Sequence, residues 1–483
     1  MRKILYILLV GVIGFSAWSC SEDIMDEINE NVNDPTDVAT RLTITNTMTR
    51  TAFSIVGSDL AFYSSVYIEH NVGIWNQHYN AEIRSGEPVS STTYNNNWNA
   101  MYKNLYDLNV IIEKCSEGGS EEGNYHTLGI AQTLSALTLA TLTDLMGDVP
   151  WSEALQPGVI YTPKLDKQED IYGVVFEFLD DAIENLEKES LYPSLGGQDF
   201  IYGGDSESWL KFAYGLKARY TMRLSHRSPA YAAVITLANN SFASADEQAQ
   251  FEYDGSSAYS PFYRFFTDRD YFGASQSLND KLVERNDPRA NVFWKKHPNA
   301  DDFEFAPNGD PVQVQGRYGV SALSVADAPT YLLSYHEIEF LKAEAYVRLG
   351  GAANLALAQT ALRNAISAAF QKVNVGLTDA EAQTYFDDYV LARFTANPLE
   401  EVMNQKYIAF FEEEAVEAYN DYRRLKAMGD DVIELANPKN NTQFPLRFTY
   451  GGSDVTTNAN VREAYGDGTY VYSENVWWAG GTR

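Results

Sequence analysis

Residues 340–370, FLKAEAYVRLGGAANLALAQTALRNAISAAF, are the stretch on which the fold class turns. Gly350-Gly351 divides it into two apolar halves. Ala343, Ala345 and Tyr346 lie on the first half, and Ala358, Ala361, Leu362, Ala365 and Ile366 recur at helical spacing on the second. Glycine takes the chain through a tight turn that other residues resist. Small side chains on facing helices let the two backbones approach closely. The pattern predicts a helical hairpin, 336–349 and 354–370, with the shape of a tetratricopeptide unit. The strict repeat is not met, and its exact period does not recur elsewhere.

The same periodicity marks further helices on either side. WNAMYKNLYDLNVIIEKC (98–115) aligns Trp98, Met101, Leu105, Leu108 and Ile112 on one stripe, which makes Trp98 a core residue. Residues 126–146 are rich in Leu, Ala and Thr nearly all round, as in a buried helix. Gly147 and Pro150 end it. Asp166 and Glu169 resemble a capping box, opening a helix with the stripe Ile171, Val174, Val175, Phe178, Ala182 and Leu186. Asp205 or Ser206 can cap the next, which turns Trp209, Phe212, Ala213, Leu216, Tyr220 and Leu224 inward. A last helix, 400–420, packs Met403, Tyr407, Phe410 and Phe411.

Between these helices lie loop-rich regions, mainly 69–95, 240–330 and 436–483. Loops this long are functional or disordered, and the aromatic density of 240–330 argues against disorder. The chain holds 32 Tyr, 24 Phe and 8 Trp. Some of these fill the core, but tyrosine's apolar face and polar tip also suit wet binding surfaces. Trp477-Trp478, near the end, is expected to plug the body.

The first twenty residues, MRKILYILLVGVIGFSAWSC, carry a basic tip (Arg2, Lys3), an apolar run and a cysteine where the run stops. The run is shorter than the roughly 20 residues of a membrane-spanning helix and reads as an export signal. With small residues at Ala17 and Ser19, Cys20 sits where a bacterial lipoprotein is cleaved and acylated. Ala17-Trp18-Ser19 also fits an ordinary signal-peptidase site. Acyl chains of palmitate type contribute about 0.8 kcal/mol per buried CH₂, so several would hold the protein at a membrane. The organisation expected is a signal over 1–19, a lipidated acidic tether over 20–45 and one compound domain over 46–483. Cys115, the other cysteine, then has no partner and reads as a small buried apolar residue.

A formal net charge of −30 sets the body against nucleic acid and offers no basic patch for anionic lipid. Six histidines and two cysteines leave little for a transition-metal site. No ligand spacing supports a Ca²⁺ loop.

Several segments together resemble the SusD/RagB family of nutrient-binding outer-membrane lipoproteins of Bacteroidota. DLMGDVPWSEAL (144–155) is similar to its Gly-Asp-x-Pro-aromatic-x-x-Ala signature. DKQEDIYGVVFEFLDDAIENL (166–186), IYGGDSESWLKFAYGLKARYTMRLS (201–225), NDPR (286–289) and PTYLLSYHEIEFLKAEAYVRLG (329–350) follow in the family's order. So do EVMNQKYIAFFEEEAVEAYNDYRR (401–424) and PLRFTY (445–450). The resemblance implies a mainly α fold: a scaffold of four tetratricopeptide-like helix pairs with a large irregular ligand-binding region packed on it. It also implies a partner, a SusC-like TonB-dependent outer-membrane β-barrel over which the protein closes as a lid. Ser21-Glu22-Asp23 resembles the signal that sends such lipoproteins to the outer face, so the expected location is the cell exterior, anchored by lipid.

Most other conspicuous residues have plain structural readings. In the 147–151 signature, Gly147 suits a left-handed helix end, Asp148 can bond backbone N–H groups and Pro150 sets the exit path. Arg423-Arg424, after Asp421, is expected to form ion pairs inside the scaffold rather than hold an anion. Glu412-Glu413-Glu414 and Asp430-Asp431 read as solvated faces. His336-Glu337 begins like a zinc-protease helix, but Phe340 stands where the second His belongs. G-x-S-x-G, Walker, EF-hand and dinucleotide motifs are absent. No catalytic residue, metal or cofactor is expected.

Two segments remain for a ligand. One carries Trp75, Asn76, Gln77, His78 and Tyr79; the other, YDGSSAYSPFYRFFTDRDYFGAS (253–275), carries Tyr259, Tyr263 and Tyr271, with Trp294 just beyond. A pyranose has an apolar C–H face and a hydroxyl rim, so it needs aromatic platforms flanked by polar side chains. The expected function is capture of an oligosaccharide and its delivery to the barrel, without bond cleavage. Peptide cargo on the same lid, a surface glycoside hydrolase and an adhesin are the alternatives.

Overall fold

A long apolar stretch of the chain, residues 125–146, becomes a helix enclosed by the rest of the body. The computed structural model describes residues 38–483. The expected export signal, Cys20 and the tether up to residue 37 lie outside the described residues. The chain enters through α1 (Thr40–Arg50), α2 (Asp59–Tyr67) and the short α3 (Asn76–Glu82). α4 (Asn95–Cys115), α5 (Tyr125–Met146), α6 (Gln168–Glu187), α7 (Ser206–Arg223) and α8 (Tyr231–Asn239) then follow. Next come α9 (Pro261–Arg269) and α10 (Gln276–Glu284), the hairpin α11 (Tyr335–Leu349) and α12 (Ala352–Phe370), then α13 (Asp379–Tyr385) and α14 (Leu391–Ala396). α15 (Pro398–Ala409) and α16 (Ala415–Met428) complete the scaffold.

Each scaffold helix packs on its successor: α4 on α5, α5 on α6, α6 on α7, α7 on α8, α8 on α11, and α11 on both α12 and α15. This serial stacking is how a helix pair that cannot bury its own apolar face gains a core. The hairpin predicted from Gly350-Gly351 forms, with Ala343, Ala345, Ala358, Ala361 and Ala365 all buried between helices. α5 is long and apolar enough to cross a membrane, but all of that stretch is buried within the body. Cys115 is a free, buried thiol whose pKa burial pushes up to about 12.

Strands are short: β1 (Asn71–Gly73), β2 (Val149–Pro150), β3 (Leu165–Asp166), β4 (Ala249–Phe251), β5 (Phe272–Ala274), β6 (Trp294–Lys295), β7 (Val320–Ser321) and β8 (Thr330–Leu333). They join as the antiparallel pairs β1–β5, β2–β3, β4–β8 and β6–β7. Among the described residues no sheet exceeds two strands. The loop-rich region is thus clipped together by ribbons.

Several expectations are corrected. The tether expected over 20–45 overlaps α1, which already begins at Thr40, held by Glu121, whose carboxylate accepts the Thr40 N–H at 2.8 Å. The capping box at Asp166 does not form. Asp166 instead accepts the Trp151 and Ser152 N–H groups, and Asp148 takes the Gln168 N–H at the start of α6. The helix expected over 400–420 is two helices, broken at Glu412, which adopts φ 75°. Glu412, Glu413 and Glu414 are not a solvated face. All three are buried, with Glu413 paired to Lys372 and Glu414 to His336. Asp205 does cap α7, Trp98 is core, and Trp478 is a fully buried plug.

Candidate ligand-binding site

The two aromatic segments meet through β1 and β5. Asn71 lies opposite Ala274 and Gly73 opposite Phe272. The Ile74 N–H donates to the Tyr271 carbonyl at 2.9 Å. At the end of this ribbon Asn76 Nδ2 donates to the Tyr271 hydroxyl at 3.3 Å, joining positions 195 residues apart. The chain leaves β1 extended at Trp75 and turns into α3 through Asn76, at φ 49°. On the other strand Asp270, just before Tyr271, sits at φ 52°. Left-handed backbone at a non-glycine residue costs on the order of 1 kcal/mol, so both corners must be held from outside. The Asp270 carboxylate accepts the Gly316 N–H at 3.1 Å and faces His297 Nε2 at 3.2 Å. Gln315 Nε2 donates to the Arg269 carbonyl at 2.6 Å.

The result is a ledge on which Trp75, Gln77 and Tyr79 have no side-chain partner among the described residues, beside the Asn76–Tyr271 pair. Asn76 is exposed; Trp75, Gln77, Tyr79 and Tyr271 are half-buried. Trp75, Tyr79 and Tyr271 stand outside every hydrophobic cluster among the described residues. Neither Trp75 nor Tyr79 packs on another aromatic ring there. Beside α9, Tyr259 and Tyr263 stack at 5.9 Å and 24°, with the Arg264 guanidinium 5.7 Å from the Tyr259 ring centre. These two tyrosines also lie outside the clusters.

Two expected ligand residues are packing residues instead. His78 is fully buried. Its ring stacks on Tyr63 at 4.6 Å and is enclosed by Phe62, Phe265, Tyr271 and Phe272. Burial holds its pKa down to about 3, so it is a neutral aromatic foundation under Tyr271. Trp294 is half-buried and packs against the main core, 4.9 Å from Phe411, on the strand β6 that pairs with β7. Residue spacing does not separate them from Trp75, because a buried aromatic and a displayed one look alike in an irregular segment.

Beneath the ledge lies a clamp that the sequence did not single out. Glu82, buried in α3, accepts the Gly309 N–H at 2.6 Å, the Gly73 N–H at 3.3 Å and Asn437 Nδ2 at 3.3 Å. Glu69 accepts the N–H groups of Ala436 and Asn437 at 2.7 Å each. These two carboxylates tie the ledge to the 300s loop and the C-terminal region. Burial pushes the Glu82 pKa up to about 7, against the pull of Arg84 and its N–H partners. In so acidic a chain nothing distinguishes these two acids from solvated ones.

Free ring faces next to amide and hydroxyl groups can stack on the apolar face of a ring-shaped ligand and bond its rim. Among the described residues no group of three or more His, Cys, Asp or Glu is placed to hold a metal.

A family model described as "SusD-like, starch-binding associating with outer membrane" matches residues 32–451. A SusD/RagB family protein from Bacteroides thetaiotaomicron VPI-5482 is similar at 46% identity and a TM-score of 0.85, over 92% of this chain and 100% of that one. A chitin-binding SusD homolog from Flavobacterium johnsoniae shares the fold at 20% identity and a TM-score of 0.70, over 90% of this chain and 98% of its own. A Bacteroides vulgatus outer-membrane protein described as probably involved in nutrient binding does so at 21% identity and a TM-score of 0.71, over 92% and 100%. No curated protein matches the chain.

Proposed function

This chain belongs to the SusD/RagB family, and on that premise we propose that it binds an oligosaccharide on the Trp75–Tyr271 ledge and passes it to a SusC-like TonB-dependent outer-membrane barrel. One observation carries the reading: the β1–β5 ribbon joins two distant aromatic segments, and the core clusters leave aside the Trp75 and Tyr79 rings beside it. Trp75 and Tyr79 supply stacking faces. Asn76, Gln77 and the Tyr271 hydroxyl supply hydrogen bonds, and the stacked Tyr259–Tyr263 pair offers further ring surface. The chitin-binding relative supports a glycan as cargo. Acylated Cys20 would hold the protein on the outer membrane, facing the exterior, with its ligand face free to close on the barrel. Nothing in this role requires bond cleavage, so the protein acts as a receptor and not as an enzyme.

Calorimetry of the purified protein against panels of neutral glycans and peptides tests the cargo. Binding to a glycan, weakened in Trp75→Ala, is expected; binding to peptides alone would replace the sugar. Co-purification of a large barrel from detergent-solubilised membranes tests the partner, and mass spectrometry of the native protein tests the lipid on Cys20.

A further inference from the structure

β2 and β3 pair over only two residues each, yet the hairpin they close carries residues 151–164 as its loop. Loops of this length without secondary structure are uncommon unless functional or disordered. This one is tied down from both ends. Asp166 accepts the Trp151 and Ser152 N–H groups at 2.8 and 2.9 Å, and Glu153 accepts the Lys164 N–H at 3.0 Å. From the C-terminal region, Asn458 Nδ2 donates to the Pro163 carbonyl at 2.8 Å and Asn460 Nδ2 to the Thr162 carbonyl at 3.0 Å. The backbone is fixed, but two of its apolar side chains are not packed away. Tyr161 is 78% exposed, its hydroxyl reaching only the Gly158 carbonyl at 3.4 Å. Neither Tyr161 nor Ile160 joins a hydrophobic cluster among the described residues.

The loop and α4 wall a cleft of about 540 Å³, a size suited to a small ligand. Tyr102 is its fixed part, packed on the core with its hydroxyl on the Pro150 carbonyl at 2.8 Å. One turn further along α4, Tyr106 is half-buried and stands outside the clusters. Among the described residues its ring meets no other ring and its hydroxyl has no hydrogen-bond partner. The exposed Gln156 amide has none either. Asp454, on the short helix Gly452–Thr457, accepts Trp98 Nε1 at 3.0 Å through one carboxylate oxygen and leaves the other without a donor. Lys103, 5.3 Å from the Tyr106 ring centre, is already paired with Asp107 at 2.6 Å. The charge left over in the cleft is therefore the negative one of Asp454.

We propose that this cleft is a second glycan site, for a neutral saccharide. Tyr106 and Tyr161 offer ring faces to the apolar side of a pyranose, the free Asp454 oxygen accepts its hydroxyl hydrogens and the Gln156 amide bonds its rim. The same carboxylate repels an acidic sugar. The proposal rests on the glycan reading for the class of ligand, but on none of the ledge residues.

The test is calorimetry on the full-length protein carrying Trp75→Ala and Tyr79→Ala, which removes the stacking faces of the ledge. The probes are trimers of N-acetylglucosamine, of glucose and of galacturonate. At least one neutral trimer is expected to bind this protein still, with the galacturonate trimer at least tenfold weaker. Adding Tyr161→Ala, which alters an exposed side chain, should lower the remaining affinity about tenfold at an unchanged melting temperature, and Tyr106→Ala should act in the same direction. No heat from either neutral trimer, affinity untouched by Tyr161→Ala, or galacturonate binding as tightly as the neutral trimers would overturn the proposal. Failure of the ledge reading looks different: Trp75→Ala and Tyr79→Ala would then leave the parent protein's glycan affinity unchanged, whatever Tyr161→Ala does.

Discussion

Trp75 and Tyr79 present rings that the hydrophobic clusters leave aside, so their removal separates binding from folding. One stacking contact is worth about 0.5 to 1.5 kcal/mol beyond area burial; with the buried ring area lost as well, its removal approaches a tenfold change in affinity. Calorimetry on Trp75→Ala and Tyr79→Ala is expected to show glycan affinity reduced about tenfold each, with melting temperatures unchanged. His78→Ala should behave in the opposite way, losing stability first, because its ring fills the pocket under Tyr271. Glu82 has a pH signature. Its pKa is raised from 4.5 to about 7 by burial. Its contribution to stability is therefore present in full below pH 4.5 and is lost as pH rises through 7, a change on the order of 3 kcal/mol. Glu82→Gln keeps an acceptor for the Gly309 N–H without the charge. Thermal melts from pH 5 to 8 are expected to show the variant gaining on the parent protein as pH rises; a constant difference would refute the clamp's ionisation.

At the scale of elements, the ribbon between β1 and β5 works only because its backbone comes very close to α3. A Cβ on Gly73 would overlap the His78 carbonyl, which is backbone and cannot swing aside. Gly73→Ala is expected to push α3 off the ribbon. Glycan affinity should fall as far as in Trp75→Ala, but with a lower melting temperature, which differential scanning calorimetry distinguishes. The break between α15 and α16 shows a second way in which an element departs from its sequence pattern. Apolar periodicity runs through 400–420, but Glu412 at φ 75° turns the chain and carries Glu413 to Lys372 and Glu414 to His336. Periodicity records which side chains are buried. It does not record whether the backbone between them is one helix or two.

Across the whole molecule, the scaffold helices are joined by buried charges as well as by alanine-lined contacts. α7 reaches α11 and α16 through Arg219 with Glu337 and Arg223 with Glu417, and α16 reaches α11 and α15 through Arg424 with Glu344 and Lys406 with Asp421. Removing one partner leaves a buried charge, at a cost of about 3 to 5 kcal/mol. Denaturation of Glu344→Gln is expected to show a loss of that size, whereas exposed Arg317→Gln, paired with Glu304, should change stability by about 1 kcal/mol or less. Lys406 and Arg424 outweigh burial at Asp421 and hold its carboxyl well below the usual range, so this part of the scaffold weakens only as pH falls toward strongly acid values. The helical scaffold was legible in the residues themselves, because helical spacing and the Gly350-Gly351 turn are local signals. The aromatic richness of 69–95 and 253–275 was legible too. Which of those aromatics face outward was not. That followed from pairing Asn71 with Ala274, which displays Trp75 and Tyr271 while burying His78. Local spacing fixes what a segment becomes; contacts between segments far apart in the chain fix which of its side chains are left for a ligand.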